Sequence, residues 1–210
     1  MEAIADENCD LSALIVERKS GNEKFVATDV KLSVTLTDFW RWSVSDLVSN
    51  ATRGILAEFI VANALKLDSG VRTEWDAYDL KLPDDTKIEI KSAAFCQSWT
   101  QAAFSKIRFT IRPIYGWDSS TNLSSTELIR QANLYVFCLL HHQDKKTVNP
   151  LDLDQWIFYL VEATKLNKEF PTQKSIGLSG LLKLEPLELK YGELASGILD
   201  TARKIVKERS

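Results

Sequence analysis

The segment Leu134–Leu140 reads LYVFCLL, the longest uninterrupted apolar run in the chain, bounded by Asn133 on one side and His141-His142 on the other. It is far shorter than the roughly 20 residues needed for a membrane-spanning helix. A short run with no polar face belongs to a strand covered on both sides, as strands inside α/β sheets are. Such a strand needs a layer above it and a layer below. The chain's 210 residues, 45% of them hydrophobic, are enough for one such compact core.

The flanking patterns agree with an α/β fold. Alternation over Val30–Leu36 predicts a half-buried strand, followed by an aromatic cluster at Phe39-Trp40-Arg41-Trp42. Ile55, Leu56, Phe59, Ile60, Leu65 and Leu67 recur at helical spacing, predicting a helix from an Asn50 N-cap to near Asp68-Ser69-Gly70. Tyr78–Leu82 and Lys87–Ser92 read as an antiparallel hairpin turned by Pro83-Asp84-Asp85-Thr86, and Lys106–Arg112 as a third strand. Ser124–Ala132 is expected to be a helix, from Ser124 or Ser125 with Glu127 nearby. Trp156–Val161 predicts a strand, and Ile176–Leu184 and Tyr191–Lys207 predict helices. The expected organisation is a single domain over residues 50–210, with residues 1–49 as an extension packed on it.

Composition narrows the function classes. A net charge of −3 argues against a surface coated in positive charge for indiscriminate nucleic-acid binding. Cys9, Cys96 and Cys138 are too few and too irregularly spaced for a disulfide framework or a zinc knuckle, and are expected to be reduced thiols. The N-terminal MEAIADENCD carries acids where a secretory signal carries bases, so a cytoplasmic protein is expected, with no membrane partner.

One charge stands where an apolar residue would be expected. In GILAEFIVANAL, Gly54–Leu65, Glu58 is the only ionisable residue, within one turn of Ile55, Val61 and Ala62. Burying that carboxylate unpaired would cost several kcal/mol. It therefore needs either an ion pair, for example with Arg53, or a place at a metal site. A second group lies on the hairpin. Alternation in Lys87-Ile88-Glu89-Ile90-Lys91 sends Ile88 and Ile90 to one face and Glu89 and Lys91 to the other, and the turn brings Asp79 towards Glu89. Two carboxylates beside one ammonium suit a hard divalent cation with oxygen ligands, the lysine polarising a water. Solvated charges on an exposed hairpin would give the same triplet.

Taken together, the helical Glu58, Asp79 of WDAYDL, and Glu89 and Lys91 of IEIKS, followed by a basic strand, resemble the restriction-endonuclease-like, or PD-(D/E)xK, nuclease superfamily over about residues 50–140. The resemblance implies a restriction-endonuclease-like core of helix, three-stranded antiparallel unit, crossover helix and further strand. It also implies Mg2+ (or Mn2+) held by Asp79, Glu89 and the backbone carbonyl of Ile90. Lys91 would position the attacking water, and Glu58 would act through water or bind a second ion. Water would attack phosphorus in line, and the leaving 3′ oxygen would be protonated by water. Tyr78 stands where the family motif has Pro, and Gln97, six residues beyond Lys91, is an accessory candidate.

Between Lys87 and Arg112 the chain carries five cations against one anion, Glu89, and Lys106, Arg108 and Arg112 should share one face. Such a strip beside a metal site suits a phosphodiester substrate, and equally suits a lysine- and arginine-protected edge strand. The implied function is metal-dependent hydrolysis of phosphodiester bonds, in DNA, with a homodimer favoured if both strands of a duplex are cut. The alternative is a catalytically idle protein of the same fold that binds DNA or another protein. His141 and His142 point to opposite faces of a strand end and are not expected to share a metal; Trp75 and Trp99 flank the hairpin as candidates for base stacking.

Overall fold

The computed structural model describes residues 14–74, 76–118 and 123–209. In chain order the elements are β1 (Lys24–Ala27), β2 (Val30–Thr35), α1 (Leu36–Val44), α2 (Asn50–Ala64), β3 (Leu80–Lys81), β4 (Lys87–Ala94), β5 (Arg108–Thr110) and β6 (Ile114–Asp118). They continue with β7 (Leu123–Ile129), β8 (Leu134–Leu140), β9 (Trp156–Glu162), α3 (Ala163–Glu169), β10 (Ser175–Gly177), α4 (Leu178–Leu182), β11 (Leu187–Leu189) and α5 (Tyr191–Arg209). The fold is mixed α/β.

The central sheet has five strands in the order β11-β9-β8-β4-β3. The apolar run Leu134–Leu140 is its middle strand and is buried at every residue. β8 runs parallel to β4, with Ile88 opposite Leu134 and Ala94 opposite Leu140, and antiparallel to β9. One face of the sheet carries Ile88, Ile90, Val136 and Phe158 against α2 and α5. The other face carries Tyr135, Phe137 and Val161 against Phe109 of β5 and Leu166 of α3. Each strand thus contributes alternate residues to two cores. This is why LYVFCLL has no polar face.

Three expectations are corrected. The strand expected over Lys106–Arg112 shortens to Arg108–Thr110 and pairs with β10, not with the hairpin. The three-stranded antiparallel unit is therefore absent among the described residues: β4 has antiparallel β3 on one side and parallel β8 on the other. The crossover helix expected over Ser124–Ala132 is instead β7, paired antiparallel with β6. Its Ser-x-x-Glu start does not cap a helix: the Ser125 hydroxyl accepts from the Glu127 N–H two residues on, within the strand. Finally, Ser175–Gly177 joins β5 as a strand, so only Leu178–Leu182 of the expected helix 176–184 is α-helical.

The N-cap of helix α2 lies one residue before the expected Asn50: it is Ser49, whose hydroxyl accepts from the Thr52 N–H. It ends at Ala64, where Lys66 turns left-handed (φ 59) and the Leu67 N–H reaches back to the Ala62 carbonyl. Before it, β1 and β2 form a hairpin and α1 is closed by a capping box between Thr35 and Asp38. No residue of α1 is buried. Among the described residues, no helix is long and apolar enough to cross a membrane.

Candidate active site

The β3–β4 turn brings the candidate residues together. Leu82 and Thr86 close it by a backbone hydrogen bond of 2.9 Å, and Asp85 adopts the left-handed conformation (φ 64) that a short polar side chain tolerates. The turn aligns Asp79 with Ile88 and Ile90. The Asp79 N–H donates to the Ile88 carbonyl (3.0 Å), and its carboxylate accepts from the Ile90 N–H (2.5 Å). A strand residue's N–H and C=O point to the same side, so the Ile90 carbonyl faces the same strand edge as Asp79.

Period-two alternation puts Glu89 and Lys91 beside Tyr135 and Phe137 on the second core face, and their side chains are only 17% and 27% exposed. Lys91 forms an ion pair with Glu89, and its Nζ lies 3.8 Å from Asp79. Glu58, on α2, is in an ion pair with Arg72, Nε to Oε2 at 2.5 Å and a second nitrogen to Oε1 at 3.1 Å. The partner is thus Arg72 and not Arg53, which is buried and bonded to the Val48 carbonyl, Asn50 and Gln97. Glu58 acts electrostatically on both Asp79 and Lys91. All four candidate residues belong to one charged cluster.

Burial, with the Glu89 and Glu58 charges, pushes the Asp79 carboxyl up to about 7 despite the opposing pull of Lys91 and the Ile90 N–H. Burial works against the Lys91 ammonium, but Glu89, Asp79 and Glu58 outweigh it and hold Lys91 above its ordinary value. Among the described residues, no group of three or more His, Cys, Asp and Glu is disposed to hold a metal. The cluster instead offers two carboxylates, Asp79 and Glu89, and a backbone carbonyl, with Glu58 held off by Arg72.

Glu89 and Lys91 open onto a cavity of ≈ 350 Å³ whose wall includes Arg112, Arg130 and Tyr135. Glu58, Arg72 and Asp79 line a second one of ≈ 410 Å³. In the basic strip, Ile107, Phe109 and Ile111 are buried while Lys106, Arg108 and Arg112 are exposed. Arg108 donates to Ser175, and Arg112 reaches the first cavity. Gln97 is occupied elsewhere, its amide donating to the Ala94 carbonyl and Ser105 at the far end of β4. His141 and His142 bind separate partners, the Gln155 carbonyl and Thr147. Cys96 and Cys138 are buried, and burial pushes both thiols up. Trp99 is exposed; Trp75 and Cys9 lie outside the described residues.

Sequence reasoning missed Arg72 and Arg130. Arg72 sits in an irregular stretch with no periodicity to aim it, and Arg130 was placed inside a helix that does not form.

The family model of bacteriophage T4 endonuclease IV matches residues 21–180, which run from before β1 into α4 and include every candidate site residue. No curated protein and no solved structure matches the chain. With the match covering most of its length, the chain belongs to the bacteriophage T4 endonuclease IV family, a family of nucleases.

Proposed function

We propose that this protein hydrolyses phosphodiester bonds in DNA with a divalent cation, through Asp79, Glu89 and Lys91. One observation carries the reading: in a member of an endonuclease family, two largely buried carboxylates flank a single ammonium beside a cationic cavity.

The chemistry of the donors supports a hard cation held by two carboxylates and a carbonyl, with water completing its shell. Asp79, Glu89 and Glu58 set three carboxylates against Lys91 and Arg72, and the strained ionisation of Asp79 is what a nearby cation would relieve. Mg2+ is usually bound by one or two carboxylates and keeps several waters. Asp79, Glu89 and the Ile90 carbonyl would hold Mg2+ (or Mn2+), with Glu58 acting through water or at a second ion. When bound, such an ion would offset charge on the phosphoryl oxygens and acidify a water.

The chain's own residues would do the rest. Lys91, anchored by both acids, has a donor to hold a water beside the phosphate. As the water oxygen bonds to phosphorus, the bond to the 3′ oxygen breaks, and that oxygen takes a proton from solvent. Lys106, Arg108 and Arg112 would hold the strand by its phosphates. The Asp79 and Glu89-x-Lys91 pattern supports reading the site as PD-(D/E)xK-like, carried among the described residues on a sheet without the three-stranded antiparallel unit or the crossover helix of that superfamily.

The test is cleavage of labelled plasmid and single-stranded DNA with Mg2+ or Mn2+, beside Asp79→Ala and Lys91→Ala. Metal-dependent cutting that both variants lose is expected. Cutting that survives Asp79→Ala would remove the site, and DNA binding without any cutting would favour a catalytically idle nuclease fold.

A further inference from the structure

The cavity beside Glu89 and Lys91 carries a charge imbalance that the protein does not resolve. Its wall holds the cations Lys91, Arg112 and Arg130 and one anion, Glu89, which is already paired with Lys91. Arg130 is only 6% exposed, and its four hydrogen bonds all go to neutral acceptors: the carbonyls of Ile111, Phe170 and Gln173, and the Asn167 side chain. Among the described residues, neither Arg130 nor Arg112 has an ion-pair partner. A buried guanidinium without a counter-ion is costly, and an anion in the adjoining cavity would offset that cost.

The architecture aims this charge. Arg130 binds the Ile111 carbonyl, one residue before Arg112, and so fixes the strand end that presents Arg112 to the cavity. Thr110, Gln131 and Tyr135 complete the polar wall with neutral donors. A volume of ≈ 350 Å³ lies within the range of small-molecule sites, about 300–1,000 Å³. Burial holds the Arg130 guanidinium below its ordinary value, the direction expected of a cation short of a counter-charge.

We infer that this cavity is a subsite for a nucleotide phosphate next to the bond being cut, with Arg112 meeting the phosphate and Arg130 supplying fixed positive charge behind it. The inference rests on the nuclease reading for the identity of its ligand, a phosphate of the DNA strand. The site itself is a property of the cavity and can be tested without cleavage.

The experiment is a binding titration of the whole protein in EDTA with thymidine 5′-monophosphate and, separately, thymidine. Wild type is compared with Arg112→Gln, which alters an exposed side chain, and with Lys207→Gln on distant α5 as a control for general charge. The expected result is binding of the monophosphate but not the nucleoside, weakened about tenfold by Arg112→Gln and unchanged by Lys207→Gln. Equal binding of nucleoside and nucleotide would overturn the subsite. So would Arg112→Gln behaving as wild type, or equal weakening by both variants. A protein that cuts DNA without Arg112-dependent nucleotide binding loses the subsite alone. One that binds as expected but never cuts keeps the subsite and loses the nuclease reading.

Discussion

Replacing Asp79 by Asn is expected to stabilise the protein in the absence of metal while abolishing cleavage. The Asp79 side chain is 18% exposed and lies 3.8 Å from the Lys91 ammonium. Burial, with Glu89 and Glu58 nearby, raises its carboxyl from 3.8 to about 7. A rise of that size disfavours the charged form by about 4 kcal/mol relative to the unfolded chain. Asn stands in for the neutral carboxyl and keeps an oxygen for the Ile90 N–H, and the value of about 7 already includes the attraction of Lys91, so a net gain on the order of 4 kcal/mol is expected above pH 7. For a chain of this length that corresponds to about 8–16 °C in Tm.

The sign follows from proton linkage. Between the unfolded value of 3.8 and the folded value of about 7, the folded wild type binds more protons than the unfolded chain. Its stability therefore falls as pH rises through that window. Asn does not titrate, so its advantage is near zero at about pH 4 and complete above about pH 7. Urea denaturation in EDTA at both ends of the window reads the difference directly. Added Mg2+ should narrow the gap, because an ion at 100 times its Kd stabilises wild type by about 2.7 kcal/mol while the variant lacks one of the carboxylates that would hold it. A variant less stable than wild type at about pH 8 in EDTA, or a difference that does not change with pH, would refute the reasoning.

Arg72→Ala leaves Glu58, 15% exposed, without its counter-ion and close enough to act on Asp79. A loss of about 1–2 kcal/mol is expected at neutral pH, because Arg72 itself is partly solvated. Adding Glu58→Gln should recover most of it, and a single-variant loss below about 0.5 kcal/mol in urea denaturation would mean that water already screens Glu58. Phe137→Ala removes a fully buried ring whose centroid lies 5.0 Å from that of Phe109 and 5.8 Å from that of Tyr135. It should cost about 3–5 kcal/mol by the same measurement, and a cost below about 1 kcal/mol would show that the second sheet face is not packed.

The sequence by itself determined the features that depend on neighbours in the chain. The apolar run Leu134–Leu140 had to be a doubly covered strand, and the alternation in Lys87–Lys91 had to send Glu89 and Lys91 to one face. The turn formers Pro83–Thr86 are close enough to bring Asp79 back to that strand. In each case the signal is a period or a turn spanning a few residues, which side-chain sterics fix without reference to the rest of the molecule.

Only the tertiary structure decided who meets whom across long separations. Ser124–Ala132 has local features that serve a helix or a strand, and pairing with Ile114–Asp118 selects the strand. Lys106–Arg112 alternates as expected, yet it leaves the hairpin for Ser175–Gly177, more than sixty residues away. The counter-ion of Glu58 is Arg72, a long side chain on an irregular segment, and the Arg130 charge is held by carbonyls from two separate segments, at Ile111 and at Phe170 and Gln173. No short-range period encodes such contacts. They form because burying the two sheet faces fixes where the segments run, and the polar groups carried with them must then find partners.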